Sequence, residues 1–290
     1  MANDTTYQKY YVPAQSRLPI WMAFGMFLTV YGAGRWLGDS GPGVFMAGSL
    51  VLAAVMYVWF SQVIKENHAG LNNDQLKRSY VWGMGWFIFS EVMFFAAFFG
   101  ALYYVRSIVG PWLGGEGEKG VTNYLYEGFQ FSWPALSNPD NSLFPPPDAT
   151  IPALGVPLIN TLLLVTSSFT LHFGHHALIK DNRSTANVWM IITIVLGIAF
   201  LFLQGYEYYE AYAHLGLTLN SGIYGTTFFM LTGFHGAHVT IGTLMLIIMW
   251  LRLLNGHFKP DDHFGFQAAS WYWHFVDVVW LCLFFLVYLI

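Results

Sequence analysis

The chain has 290 residues, of which 56% are hydrophobic and only 10% are charged. Soluble domains carry about 25% charged residues, so this composition argues against a soluble protein and indicates an integral membrane protein. The formal net charge of −4 gives no sign of the basic surface that nucleic-acid-binding proteins need. The single cysteine, Cys282, can form neither an intramolecular disulfide nor a thiolate metal cage.

Seven apolar stretches are long enough to span a bilayer, which takes roughly 20 apolar residues each. They cover approximately residues 18–37, 43–64, 80–105, 155–178, 187–212, 223–252 and 268–290. We predict that all seven are helices, because an open strand cannot satisfy its backbone in lipid. The expected fold is a single all-α membrane domain over residues 1–290, with one long outer connection. That connection, residues 107–154, is rich in Gly, Pro and acidic residues, and we expect either disorder or a docking surface there.

Basic residues predict that the N-terminus lies inside and, after seven spans, that Ile290 lies outside. With that orientation the inner segments hold Lys9, Arg17, Lys65, Lys77, Arg78, Lys180, Arg183, Arg252 and Lys259, and the outer segments hold Arg35, Arg106 and Lys119. Such an excess of inner cations is the usual signature of membrane topology.

Glu91 is the most conspicuous ionisable residue within a predicted span. It lies about eleven residues into the third span, with no Lys or Arg within a helical turn. A charge at mid-membrane costs about 2.5–3.5 kcal/mol on insertion scales, so its presence needs a reason. Two interpretations stay open: a carboxyl that exchanges protons or faces lipid, and a neutral acid hydrogen-bonded across helices for packing.

Three histidines of the fourth span, His172, His175 and His176, follow the spacing H-x-x-H-H. This spacing places them on one helix face, where several imidazoles can bind a metal. The motif also resembles one histidine box of membrane di-iron desaturases, but those enzymes need several boxes on one side of the membrane. The other nearby pair, His235 and His238, falls at a different depth. We therefore favour histidines that bond to neighbours or to lipid phosphates.

Other polar residues in the spans are expected to serve packing or the membrane surface. Glycines flank the pair in the sixth span, which favours close interhelical packing there. His274 and Asp277 stand three residues apart in the seventh span and are expected to pair with each other. Glu207, near the outer end of the fifth span, is expected to be solvated or interfacial.

Charged residues at the inner ends of the second and sixth spans suit contact with lipid. Lys65, Glu66, Arg252 and His257 lie there, and cations at this level commonly snorkel to the headgroups. The alternative is that they contribute only the generic positive charge of inner segments.

Four segments together resemble the cytochrome c oxidase subunit 3 family, that is, haem–copper oxidase subunit III. They are Trp82–Phe99, Asn160–Leu178, Tyr224–Thr243 and His263–Trp280, and they lie in four of the seven spans in family order. The resemblance covers roughly residues 18–106 and 155–290.

The resemblance implies a fold and partners that periodicity does not. Helices 1–2 would be splayed from helices 3–7 in a V whose cleft holds phospholipid. The chain would bind beside subunit 1, which carries haems and copper, in a complex with subunit 2 and, in some cases, small subunits. It would ligate no redox metal itself, and its only bound cofactor would be phospholipid.

The resemblance also assigns roles to particular residues. Glu91 matches the buried acid of the third helix. Positions near lipid headgroups match Lys65, Glu66, Arg252, His257 and Phe258. The family usually has Glu where this chain has Gln267, so a role needing an acid there is in doubt.

The implied function is that of a subunit of a proton-pumping oxidase in aerobic respiration. This chain alone is not expected to be catalytic; it would support subunit 1 and sustain proton uptake. The alternatives are the equivalent subunit of a quinol oxidase, a membrane di-iron desaturase and a proton-coupled transporter using Glu91. We expect a multi-pass protein of the bacterial plasma membrane in preference to the mitochondrial inner membrane.

Overall fold

A computed structural model describes residues 10–118 and 120–290 of the chain. Two cations used above to predict orientation, Lys9 and Lys119, lie outside the described residues. Within the described residues all regular structure is helical, apart from one isolated bridge between Lys259 and Asp262. The predicted all-α fold is therefore confirmed.

Seven long helices follow one another along the chain. They are α1 Leu18–Leu37, α2 Gly43–His68, α3 Asp74–Tyr104, α4 Val156–Ile179, α5 Arg183–His214, α6 Ile223–Leu254 and α7 Phe264–Leu283. All except α1 are long and apolar enough to cross a membrane. The stretch predicted at 18–37 is therefore a helix, but Arg35 near its end lowers its hydropathy.

Two of the long helices continue through irregular turns. A π-helical segment, Val105–Val109, and a short helix, Gly110–Leu113, extend α3, and a second π-helical segment, Phe284–Leu289, extends α7. The third helix therefore begins earlier and ends later than the predicted 80–105. The long connection begins at Gly114 and not at residue 107, because an apolar run continues through the residues first assigned to it.

The chain divides into two compact units, Met1–Gly83 and Met84–Ile290. In the first unit, α1 and α2 pack closely because each presents a glycine to the other. A Cβ on Gly32 would overlap the backbone of Phe45, and a Cβ on Gly48 would overlap the backbone of α1. Small residues at such crossings let membrane helices approach and gain van der Waals contact.

The core of the second unit is built around Trp273 of α7. Its ring lies between two glycines of neighbouring helices: a Cβ would stand 2.7 Å from the ring at Gly197 and 3.0 Å at Gly242. The indole N–H donates to the hydroxyl of Ser167 in α4 at 2.8 Å. The largest side chain of the core is thus both enclosed and hydrogen-bonded, as a buried indole requires.

Hydroxyl groups provide further polar links between the helices of this unit. The hydroxyls of Thr170 in α4 and Thr193 in α5 lie 2.8 Å apart, fully inside the bundle. Near the other end of α4, Thr161 accepts a hydrogen bond from the Trp280 indole at 2.9 Å. Each bond joins two helices without placing a charge in the apolar interior.

The long connection packs against the link between α5 and α6. The Asn138 side-chain amide donates to the carbonyl oxygens of Phe144, at 2.8 Å, and Ser221, at 3.4 Å. The backbone N–H of Asp148 donates to the Leu215 carbonyl at 2.9 Å. Over its described residues this segment is folded onto its own unit, and a docking role for its outer face stays a prediction.

Candidate functional site

Glu91 of α3 is hydrogen-bonded to His238 of α6. Glu91 Oε2 lies 2.8 Å from His238 Nε2, and the two side chains are 22% and 13% exposed, respectively. The sequence singled out both residues but did not pair them, because they are separated by 147 positions. The structure brings them together in an interhelical bond of the kind expected for a neutral acid in a membrane.

The other ring nitrogen of His238 fixes where the protons lie. Nδ1 is 2.6 Å from the carbonyl oxygen of Phe234, and a carbonyl only accepts, so Nδ1 carries a hydrogen. The bond to Glu91 then contains one proton, held either by the carboxyl or by Nε2. Both forms have the same number of protons, and the neutral one avoids placing two charges in an apolar setting. The pair can thus move a proton internally and exchange one through a partly accessible carboxyl.

Aromatic rings surround this pair. The centroid of the Phe95 ring lies 5.0 Å from that of His238, and the rings of Phe94 and Phe98 lie 5.1 and 5.3 Å from Phe234. These contacts pack α3 against α6. Because the rings exclude water from one side, the hydrogen bond between Glu91 and His238 is electrostatically stronger than it would be in water.

His235, one turn away in α6, has a different role. It is fully buried, and its Nε2 lies 3.1 Å from the carbonyl oxygen of Val276 in α7. Since that carbonyl only accepts, Nε2 donates. The ring packs 5.1 Å from Trp280 and 5.7 Å from Phe200. This geometry is the interhelical packing expected from the flanking glycines.

His274 and Asp277 are joined through a serine of α4 and not directly to each other. The hydroxyl of Ser168 donates to Asp277 Oδ2 at 2.9 Å, and His274 Nδ1 lies 3.2 Å from Ser168 Oγ. The expected direct pairing is therefore wrong: the serine stands between the two side chains and accepts from the imidazole. The sequence held one signal for this link, a polar serine pair in the middle of an apolar span.

The three histidines of the H-x-x-H-H motif do not converge on one point. His172 and His176 are exposed, while His175 is half-buried, with its ring 5.4 Å from Phe266 and 5.1 Å from His263. Across residues 10–118 and 120–290, no three His, Cys, Asp or Glu side chains are grouped as metal ligands would be. A shared helix face alone does not aim three rings at one ion.

Glu207 lies inside the bundle, contrary to the expectation of a solvated or interfacial role. It is 1% exposed and accepts hydrogen bonds at Oε1 from the Tyr288 hydroxyl at 2.6 Å and from the Gln204 amide at 3.4 Å. The spacing could have revealed this, because steps of three or four residues lead from Gly197 and Phe200 to Gln204 and Glu207 on one buried face.

Arg252 and Phe258 form a compact cluster where α6 ends. The guanidinium lies over the Phe258 ring, 4.6 Å from its centroid, and Arg183 donates to the Phe258 carbonyl at 3.0 Å. The backbone N–H of His257 donates to the Arg252 carbonyl at 3.0 Å. Among the described residues, none accepts a hydrogen bond from Arg252 Nε. Arg252 Nε is thus buried without an acceptor, and the ring holds the guanidinium by a cation–π contact.

Lys65 and Glu66 belong to the first unit, at the end of α2. Lys65 is exposed. Glu66 accepts from the Tyr11 hydroxyl at 3.3 Å and from the Gln62 amide at 3.0 Å. The carboxylate is thus bound locally, and the ammonium is the group that faces outward.

The fold and these polar pairs define a polytopic helical membrane protein that binds its ionisable side chains between helices. The family model described as Cytochrome c oxidase subunit III matches residues 8–116 and 141–290. Proteins named cytochrome c oxidase subunit 3 from Drosophila melanogaster and Anopheles gambiae are 38% and 39% identical over 271 residues, which is 93% of this chain and 92% of each relative. The one from Oryctolagus cuniculus is 37% identical over 281 residues, 96% of either chain.

The chain belongs to the cytochrome c oxidase subunit III family, so the resemblance drawn from the four segments is confirmed. This family is a subunit of haem–copper oxidase and has no redox centre of its own. The chain is therefore a multi-pass membrane component of a respiratory oxidoreductase complex.

Proposed function

We propose that this chain supports subunit 1 of a cytochrome c oxidase by keeping protons available to it and by holding phospholipid. The observation that carries the first part is the hydrogen bond between Glu91 and His238. A carboxyl that shares one proton with an imidazole, and that is 22% exposed, can exchange a proton with its surroundings, and the single charge that this exchange leaves on the pair is stabilised by the hydrogen bond between the two groups. This role joins the two interpretations of Glu91, since one bond serves both packing and proton exchange.

The lipid-holding part rests on the cluster at the end of α6. The guanidinium of Arg252 lies against the Phe258 ring, and the planar fork of N–H donors of an arginine suits a phosphodiester. Arg183 fixes the backbone of Phe258 by donating to its carbonyl. We propose the same role for Lys65, Glu66 and His257, on the basis of the family resemblance.

The partners proposed are subunit 1, by direct contact, subunit 2, any small subunits and membrane lipid. Haems and copper would reside in the partner subunits. The relatives are named as subunits of cytochrome c oxidase, which favours cytochrome c over a quinol as electron donor for the complex. The bacterial plasma membrane stays an untested expectation, and the relatives from insects and mammals do not favour it.

Co-purification in mild detergent tests membership of the complex. We expect the chain to bring down a haem-bearing partner and to show a haem spectrum in the complex. Isolation of the chain alone, with stoichiometric iron bound to it, would instead favour the desaturase alternative.

A carbodiimide that partitions into lipid tests the proton on Glu91, because it reacts with protonated carboxyls. In intact membranes we expect an adduct on the Glu91 peptide, no adduct after Glu91→Gln, and a retained adduct after His238→Ala. An adduct that forms only in the His238→Ala variant would mean that the native pair is an ion pair, and would contradict the neutral form.

Turnover measurements test whether the pair serves proton supply. In the purified complex, Glu91→Gln should leave the haem spectrum intact but reduce the number of turnovers before activity is lost, because a glutamine amide cannot take up and release a proton as a carboxyl does. A variant whose activity lasts as long as that of the native complex would exclude Glu91 from proton supply.

Phospholipid retention tests the Arg252 cluster. Arg252→Gln should lower the lipid phosphorus that co-purifies with the complex, and Arg35→Gln, which changes a cation at an end of α1, serves as control. Equal lipid phosphorus in the two variants would remove the assignment.

A further inference from the structure

A groove of about 430 Å³ lies on the hairpin formed by α4 and α5, and Arg183, next to its rim, also contacts the Phe258 carbonyl of the Arg252 cluster. Its lining combines two aromatic rings, an imidazole, an ammonium and two small polar side chains. These residues are Phe173, His176, Lys180, Asn182, Thr185 and Trp189, and Ala177 completes the lining. None of the lining residues, all of which the structure describes, is acidic.

The lining changes from polar to aromatic with increasing distance from the hairpin turn along the helix axes. The aromatic pair lies six residues from the hairpin ends of the two helices, Phe173 before Ile179 and Trp189 after Arg183, which is roughly 9 Å along each axis. Lys180 follows directly after α4, only about one residue rise of 1.5 Å beyond its end. The groove therefore has a cationic mouth and an aromatic inner wall.

The aromatic wall is rigid and open. The Phe173 and Trp189 rings lie with their centroids 5.2 Å apart and tilted by 49°. Phe173 remains 47% exposed. In a membrane, exposed rings near a helix end meet acyl chains and the glycerol region, which is where Trp and Tyr are enriched.

Local charges leave the mouth positive. Asp181, next to Lys180, has its carboxylate 3.6 Å from the Arg183 guanidinium, so one anion and one cation offset each other. The Asn182 side chain caps α5 by accepting from the Thr185 backbone N–H at 3.2 Å, which fixes the rim. The Lys180 ammonium therefore remains as the net charge of the rim.

We infer that this groove binds an anionic glycerophospholipid, with its phosphate at Lys180 and His176 and an acyl chain along Phe173 and Trp189. A free phosphate would use the cationic mouth but gain nothing from the aromatic wall. A purely apolar segment would use the wall but would bring no anion to the lysine. Only an amphipathic anion uses both parts of the lining.

Photo-crosslinking in the purified oxidase complex tests this assignment. The probe is a phosphatidylglycerol that carries a diazirine on one acyl chain, and the comparison probe is the corresponding phosphatidylcholine. We expect the anionic probe to label the peptides that contain Phe173 and Trp189 in preference to the zwitterionic one. Excess inorganic phosphate should leave this labelling in place.

Variants make the test specific. Lys180→Ala should lower labelling about fivefold, since a cation near the membrane surface contributes about 1 kcal/mol to binding of anionic lipid. Lys180→Arg should retain labelling, and Lys77→Ala, which changes an exposed lysine in the first turn of α3, serves as the matched control. The haem spectrum of each complex reports assembly, so a misfolded variant is recognised independently of lipid.

Three outcomes would overturn the inference. They are equal labelling of the native and Lys180→Ala complexes, displacement of the probe by inorganic phosphate alone, and labelling that reaches other peptides of the complex but not those that contain Phe173 and Trp189. These outcomes concern labelling of the α4–α5 peptides alone, whereas turnover number and the lipid phosphorus of the Arg252→Gln complex are measured separately, so failure here would leave the proposed function untouched.

Discussion

Replacing Glu91 by glutamine separates the packing role of this residue from its proton. In the native protein the carboxyl makes one interhelical hydrogen bond of 2.8 Å to His238 Nε2, and Nδ1 of the same ring is committed to a backbone carbonyl. A glutamine amide can still donate to Nε2, so the interhelical bond should persist. A leucine at this position cannot, and it would leave the imidazole nitrogen without its partner.

The magnitude follows from the value of one interhelical bond in a membrane, about 0.6 to 2 kcal/mol. We expect Glu91→Leu to lose about that amount, and Glu91→Gln to lose less than about half of it. The aromatic contacts between α3 and α6 remain in both variants, so neither should abolish assembly. The Met93→Leu variant, at a 55% exposed position of the same helix, serves as control.

The assay is a titration of the purified complex with a denaturing detergent, followed by release of this chain and by its helical signal. The midpoints should fall in the order native and Met93→Leu, then Glu91→Gln, then Glu91→Leu. Equal losses for the two Glu91 variants, or wholesale loss of the complex with glutamine, would refute the reasoning, because the native contribution would then depend on a charge and not on a hydrogen bond.

Three further substitutions test the other polar contacts. Ser168→Ala leaves Asp277 without its donor, so the same titration should show a loss of about 1–3 kcal/mol, largely restored by Ser168→Thr; no loss would contradict the link. Tyr288→Phe removes the hydroxyl that donates to Glu207, and a loss of about 1–3 kcal/mol is again expected, with an unchanged midpoint as the contrary result. A neighbouring serine hydroxyl and two backbone N–H groups lower the pKa of Asp140, so its turn is held at neutral pH and loosens as pH falls through that lowered pKa. The protection factors of the amides at 142 and 143, which correct exchange rates for their intrinsic pH dependence, should fall in that acid range, and at every pH after Asp140→Ala; native protection factors that do not change with pH would count against it.

The apolar stretches predicted the helices well because length and hydrophobicity alone decide whether a segment can span lipid. They were less accurate at the ends. The third helix runs on to Leu113 because its final turns are apolar and contain no proline until Pro111, which is tolerated in the first turn of a short helix. Hydropathy does not distinguish a polar helix end from a polar loop, so it did not predict the start of α3 at Asp74.

The sequence also located the ionisable residues but assigned some of them wrongly. The position of Glu207 near the end of a span predicts a site at the membrane surface, yet helix packing buries it against Tyr288. His274 and Asp277 share a helix face but both bond to Ser168 of another helix, and their spacing in the sequence does not reveal which neighbouring side chain comes between them.

Composition and motif order alone determined that the chain is a helical membrane protein of the subunit III family, since both depend on residue types and their order along the chain. Only the tertiary structure paired Glu91 with His238, joined Asp277 to Ser168 and enclosed Glu207, because these bonds connect residues on different helices. Hydrogen bonds act over about 3 Å, and residue types and spacings do not reveal which distant side chains come within that range until the helices are packed.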